Sequence, residues 1–157
     1  MTRANPLLQI LTKQALNIIH RYGDSGAYLL ILQLSTSMDL KITGNNFRLQ
    51  AGWYAYVGSA RRYLLARVTR HLRANYLKNT AEHWHIDQLT LSENTLIQGI
   101  GLYPGQHECV ISRKLGNRKD TSTPIPGFGA SDCSAGCTAH LYRLHGTDIY
   151  QKILVMI

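Results

Sequence analysis

Between residues 27 and 34 the chain reads Ala-Tyr-Leu-Leu-Ile-Leu-Gln-Leu, an apolar run with one polar interruption. A strand with one wet face alternates apolar and polar positions, so this run predicts a strand covered on both faces. A polar turn and residues 40–43 follow, and Gly44-Asn45-Asn46 marks a chain reversal, because glycine and asparagine tolerate the positive φ of tight turns. Residues 47–51 and 53–57 predict a second and a third strand, or one long strand bulged at Gly52. From 62 to 78 the period becomes helical. At about 100° per residue Leu64, Leu65, Val68, Leu72 and Tyr76 fall within an arc of about 120°, the predicted buried face. Arg67 and His71 flank that arc, and Arg70 and Arg73 project further round.

The flanking segments are shorter in signal. Asn5-Pro6 opens a stretch to residue 19 with a capping residue, a proline at the first helical position and apolar residues at helical spacing. It predicts an amphipathic helix in an N-terminal extension, residues 1–22, docked on a domain spanning 23–157. Downstream, 95–103 predicts a strand and 106–115 a short helix that carries His107 and Glu108. A Gly/Pro/Ser-rich segment, 121–136, is too long for a simple connection and predicts a structured functional loop. Residues 141–144 and the apolar tail 153–157 each predict a strand. The fold class is therefore α+β, a small, mainly antiparallel sheet flanked by helices.

Composition adds two constraints. At 157 residues with 45% hydrophobic content the chain can bury one sizeable core, hardly two. Of its 17 Lys and Arg, eight lie between 40 and 81, where there is no Asp or Glu, and the other nine balance the nine acidic residues. The +8 excess is thus local, and a local positive field points to a polyanion such as nucleic acid. No stretch approaches the roughly 18 apolar residues of a membrane span, and no leader pattern opens the chain. Three cysteines, an odd count, suit a reducing compartment, so the expected location is the cytoplasm.

The helical geometry separates the arginines. Arg67, at the edge of the packed stripe, can reach over the end of the sheet into a concave site, whereas Arg61, Arg62, Arg70 and Arg73 suit phosphate contacts without sequence preference or a solvated helix face. Gly26-Ala27-Tyr28, Tyr56-Val57-Gly58, Arg67 with His71 and a glutamate on a later helix together resemble, in order and spacing, the GIY-YIG endonuclease superfamily. His83-Trp-His-Ile-Asp87, Ile125-Pro-Gly-Phe-Gly-Ala-Ser-Asp-Cys133 and Ala139-His-Leu-Tyr142 are similar to an incompletely characterised branch of it, sometimes appended to DNA-repair glycosylases of the endonuclease III type. The resemblance covers about residues 23 to 145, with Ala27 at a core position where the superfamily has isoleucine.

The resemblance implies one divalent cation, Mg²⁺ or Mn²⁺, held by Glu108 as the sole protein ligand, with Glu93 the rival carboxylate. It implies that Arg67 neutralises phosphate oxygens and that Tyr28 is the general base, its phenolate favoured by Arg67 and by a hydrogen bond from His71 or Tyr56. Tyr56 positions the water or the phosphate, and which tyrosine takes the proton stays open. His85 is assigned a substrate-facing or proton-shuttling role by the same resemblance.

Two further clusters stand out. His83, His85 and Asp87 alternate, so an extended backbone would place them on one face opposite Trp84 and Ile86, as a metal or proton relay or as a wet face anchored by Trp84. Cys133, Cys137 and His140 offer soft ligands at zinc-like intervals, with Cys109 or His145 as a fourth; free thiols on a turn-rich loop are the competing reading. The leading expectation is an endonuclease acting on DNA in repair, recombination or defence. Its competitors are a non-catalytic nucleic-acid-binding module with the same fold, and a zinc-stabilised interaction domain.

Overall fold

The computed structural model describes residues 6–146 except 132, with the backbone alone over 6–13. Along the chain run α1 (Pro6–Tyr22), β1 (Gly26–Leu34), β2 (Met38–Ile42), β3 (Asn45–Leu49), β4 (Gly52–Ala60), α2 (Leu64–Leu77), α3 (His85–Thr90), β5 (Thr95–Pro104), α4 (Glu108–Gly116), β6 (Thr121–Ser122) and β7 (Leu141–Leu144). Five strands form one antiparallel sheet in the order β5-β1-β4-β7-β6, and β2 and β3 form a separate hairpin. The α+β expectation holds. Asn5 and the apolar tail 153–157 lie outside the described residues.

The central place of β1 accounts for its apolar run. Tyr28, Leu30, Leu32 and Leu34 pack with Leu64 and Val68 of α2, Ile86 and Leu89 of α3 and Leu40, Ile42 and Leu49 of the hairpin. Ala27, Leu29 and Ile31 point the other way and pack with Ile111 and Leu115 of α4. One sheet therefore carries a core on each face, and hydrophobic burial drives both layers together. Ala27 is fully buried, as a core position requires.

Local signals place the turns closely. The hairpin reverses at Thr43-Gly44, both at positive φ (48° and 82°), so Asn45 and Asn46 belong to β3 and the reversal comes earlier than expected. β3 and β4 are separate strands in different sheets, with Gly52 at the start of β4 and not at a bulge. α1 is helical as expected; of its described side chains Ile19 packs against the core and Leu16 is exposed.

Two expected faces are corrected. The buried residues of α2 are Leu64, Val68, His71, Ala74 and Asn75, while Tyr76 is 54% exposed. The stripe is rotated because two polar side chains have fixed partners inside. Asn75 Nδ2 donates to the carbonyls of Thr90 and Thr95 at 2.8 and 2.9 Å, and its Oδ1 accepts from Ile97 N–H at 3.0 Å. A fully bonded buried amide is tolerated where an unbonded one is costly.

Residues 85–90 are a helix, not an extended segment, so His85 and Asp87 do not share a face: His85 is exposed and Asp87 fully buried. The Asp87 carboxylate accepts from the N–H groups of His83 and Trp84 at 2.7 and 3.0 Å, and closing the first turn this way favours the helix over a strand. Among the described residues no helix is long and apolar enough to cross a membrane.

Candidate active site

The register of β1 against β4 sets Leu30 opposite Tyr56 and Tyr28 opposite Gly58. Cross-strand partners share a face, so both tyrosines emerge on the side covered by α2 and α3. Their ring centroids are 6.3 Å apart. A Cβ on Gly58 would collide with the Tyr28 ring, so only glycine leaves that ring its place.

Burial of His71 puts its Nε2 2.8 Å from the Tyr28 hydroxyl. Its Nδ1 faces Asp87 Oδ1 at 3.9 Å, too far for a hydrogen bond, and has no other partner among the described residues. Burial pushes the His71 pKa down to about 4, against the pull of Asp87 and with Arg70 and Arg67 adding to the push, so the imidazole is neutral at physiological pH. Asp87 is anionic: burial alone would raise its pKa, but Arg70 and the Trp84 and His83 N–H groups hold it below the usual carboxylate range. Arg70 does so bidentately, Nη1 to Oδ1 and Nη2 to Oδ2, each at 3.0 Å.

That pairing corrects the expectation for Arg70, whose fork is committed to Asp87 and to the carbonyl of Ala81 instead of facing outward. Lys78 is similarly turned inward onto the carbonyls of Thr90, Ser92 and Thr95, and Arg48 pairs with Asp39. The outward basic surface is thus smaller than the sequence count implies. Arg61, Arg62 and Arg73 are exposed.

Arg67 donates through Nη1 to the Ser59 carbonyl at 2.9 Å, and its Cζ lies 4.8 Å from the Trp84 ring centroid; Arg70 Cζ lies 4.6 Å from the same ring. Trp84 is therefore a platform for both guanidiniums. A cleft of about 240 Å³ opens beside it, lined by Tyr56, His83, Trp84, His85, Phe128 and Gly129 among others. His85 reaches this cleft from the first position of α3.

Glu108 opens α4 and is 25% exposed at its side chain. Its charge reaches both tyrosines. The Tyr28 pKa is raised well above the ordinary value by burial first, then by Tyr56, with Arg67 opposing and Glu108 and Asp87 adding. Tyr56 is raised by burial and then by Glu108 and Asp87, with Arg67 opposing. The expected lowering of the Tyr28 pKa is thereby corrected: loss of hydration outweighs the single nearby guanidinium. Glu93 is exposed near Lys78, on whose pKa its charge acts.

The loop 121–140 brings a second group of donors together. Cys109, Cys133, Cys137 and His140 place one ligand atom each within 4.8 Å of one another, a group that can hold a metal ion. The fourth member is Cys109; His145 instead bonds Ser122 Oγ at 2.7 Å. Asp132, in this loop, lies outside the described residues.

Sequence reading missed the weight of Asp87 and Trp84. Their signal was local, an aspartate three residues after a tryptophan at a helix start, but nothing in it pointed to Arg70 or His71 on another helix.

A family model described as a domain of unknown function, DUF123, matches residues 27–156. No curated protein and no solved structure matches the chain.

Proposed function

The chain belongs to the DUF123 family, and we propose that it is a metal-dependent endonuclease that hydrolyses phosphodiester bonds in DNA, extending its resemblance to the GIY-YIG superfamily. The carrying observation is the convergence of Tyr28, His71, Tyr56 and Arg67 beside an open cleft, with the charge of Glu108 acting on both tyrosines.

Hydrolysis needs an oriented water, a proton acceptor and positive charge at the phosphorus. A tyrosine with a raised pKa is a poor base alone. In this site Tyr28 passes its hydroxyl proton to His71 Nε2 as it takes the proton of the attacking water, so a free phenolate is never required. The water oxygen bonds to phosphorus as the bond to the leaving ester oxygen breaks, that oxygen takes a proton from solvent, and the imidazolium later returns its own to solvent. The tautomer with its proton on Nδ1, towards Asp87, leaves Nε2 able to accept. The imidazolium so formed faces the Asp87 carboxylate, which Arg70 and two N–H groups keep anionic. Tyr56 orients the water or the phosphate, His85 meets substrate at the cleft, and Arg67 neutralises phosphate oxygens with the donors of its fork not used by the Ser59 carbonyl.

Glu108 fits a hard cation. Its carboxylate is partly exposed, and the nearest ring nitrogen, His140 Nδ1 at 3.7 Å, is beyond hydrogen-bond reach, so its oxygens remain available. Glu108 would hold Mg²⁺ or Mn²⁺, which supplies positive charge to the phosphate. The cysteine-rich group suits a softer ion. Arg61, Arg62 and Arg73 supply the backbone contacts, and the setting is repair, recombination or defence in the cytoplasm.

The test is cleavage of duplex, single-stranded, flap and branched DNA, and of RNA, with Mg²⁺, Mn²⁺ or chelator. Divalent-dependent cleavage lost in Tyr28→Phe and in Glu108→Gln is the expected result. DNA binding without cleavage under every condition would leave a binding module.

A further inference from the structure

We propose that Cys109, Cys133, Cys137 and His140 form a structural zinc site that clamps the start of α4 to the loop walling the cleft. Three thiols and one imidazole are the donor set of closed, four-coordinate zinc, and their ligand atoms already lie within 4.8 Å of one another. They come from three places in the chain, 109 on α4, 133 and 137 in the loop, and 140 just before β7, so local turn formation does not explain their meeting.

An independent observation points to a ligand at this place. His140 is 1% exposed, yet among the described residues neither ring nitrogen has a hydrogen-bond partner. Buried polar groups are nearly always satisfied, and a metal bond would satisfy one of these nitrogens. The Cys109 and Cys133 sulfurs are 3.2 Å apart, within S–H···S reach and not joined by a disulfide, which is a spacing that two ligands of one ion can relax from with small side-chain rotations.

The position of the site gives it a task. His140 N–H donates to the Phe128 carbonyl at 2.7 Å and Gly127 N–H to the Thr138 carbonyl at 2.7 Å, so the two limbs of the loop are already paired beside the donors. Gly129, at φ 69°, sits closely between Tyr56 and His140, where a Cβ would stand 3.2 and 3.3 Å from their atoms. Cys109 adjoins Glu108. An ion here therefore fixes the carboxylate on one side and the Phe128-Gly129 wall against Tyr56 on the other. A small loop held mainly by turns gains much from such a cross-link.

Protein purified without chelator is analysed for metal by mass spectrometry, for thiols and disulfides, and after cobalt replacement by absorption. One zinc per chain is expected, lost in Cys137→Ser and in His140→Ala and released from the parent protein by a mercurial thiol reagent. Cobalt protein should show thiolate-to-metal charge transfer and the intense visible bands of a tetrahedral site. Metal-free folded protein with three titratable thiols, a Cys109–Cys133 disulfide, or zinc retained in both variants would each overturn the proposal. Zinc content is read without DNA, so its failure and that of the nuclease reading are distinguishable.

Discussion

The Tyr28 hydroxyl and the Nε2 of His71 lie 2.8 Å apart, with both side chains buried between β1 and α2. This contact makes a stability prediction as well as a chemical one. The folded His71 titrates near 4 against 6.5 in an unperturbed chain, so between those values the unfolded state binds a proton that the folded state refuses. Stability is then full above about pH 6.5 and falls on acidification, by roughly 3 kcal/mol at about pH 4. Urea unfolding measured across that range in the parent and in His71→Gln checks it; an acid limb equally steep in both would remove His71 as its cause.

Gly58→Ala places a methyl group in the space of the Tyr28 ring. The ring must turn away from His71, so a loss of about 1–3 kcal/mol is expected from overpacking. Cleavage should fall to the level of Tyr28→Phe, compared in one assay with thermal melts of both variants. Activity near that of the parent would mean the ring position is not needed.

Arg67→Lys keeps the charge and loses the planar fork. Cleavage is expected to drop about 10²–10³-fold, as for loss of one donor to developing charge, with DNA affinity nearly unchanged. The comparison is single-turnover cleavage against equilibrium binding. Equal loss in both would make Arg67 a binding residue.

Arg70→Ala and the triple change of Arg61, Arg62 and Arg73 to Ala should separate cleanly. The first strips a buried carboxylate of its partner, and a destabilisation of about 3–5 kcal/mol is expected. The triple variant should stay folded and lower the slope of log affinity against log salt by up to about 3. Denaturation and salt-titrated binding measure the two; an unchanged slope in the triple variant would place DNA on another surface.

Strands and helices were largely legible because their signals are local. The run at 27–34 read as a strand covered on both faces, and the change of period after residue 61 marked α2. Faces set by polar side chains were less legible. Hydrophobic spacing placed Tyr76 inside and His71 at the edge of α2, whereas the partners that bury His71 and Asn75 come from β1, α3 and β5. Residues 83–87 alternate like a strand, and only the Asp87 carboxylate meeting two N–H groups and Arg70 turns them into the start of a helix.

By itself, then, the sequence determined the α+β class, the places of β1, α2, β5 and α4 along the chain and the residue types at the candidate site, because propensity and hydrophobic period act over a few neighbours. Tertiary structure alone decided which basic side chains face outward, that Trp84 would lie against Arg67 and Arg70, that the tyrosines would be raised and not lowered in pKa, and that Cys109 would complete the cysteine group. Desolvation and charge pairing depend on what lies across a gap of a few ångströms. Those neighbours are dozens of residues away along the chain.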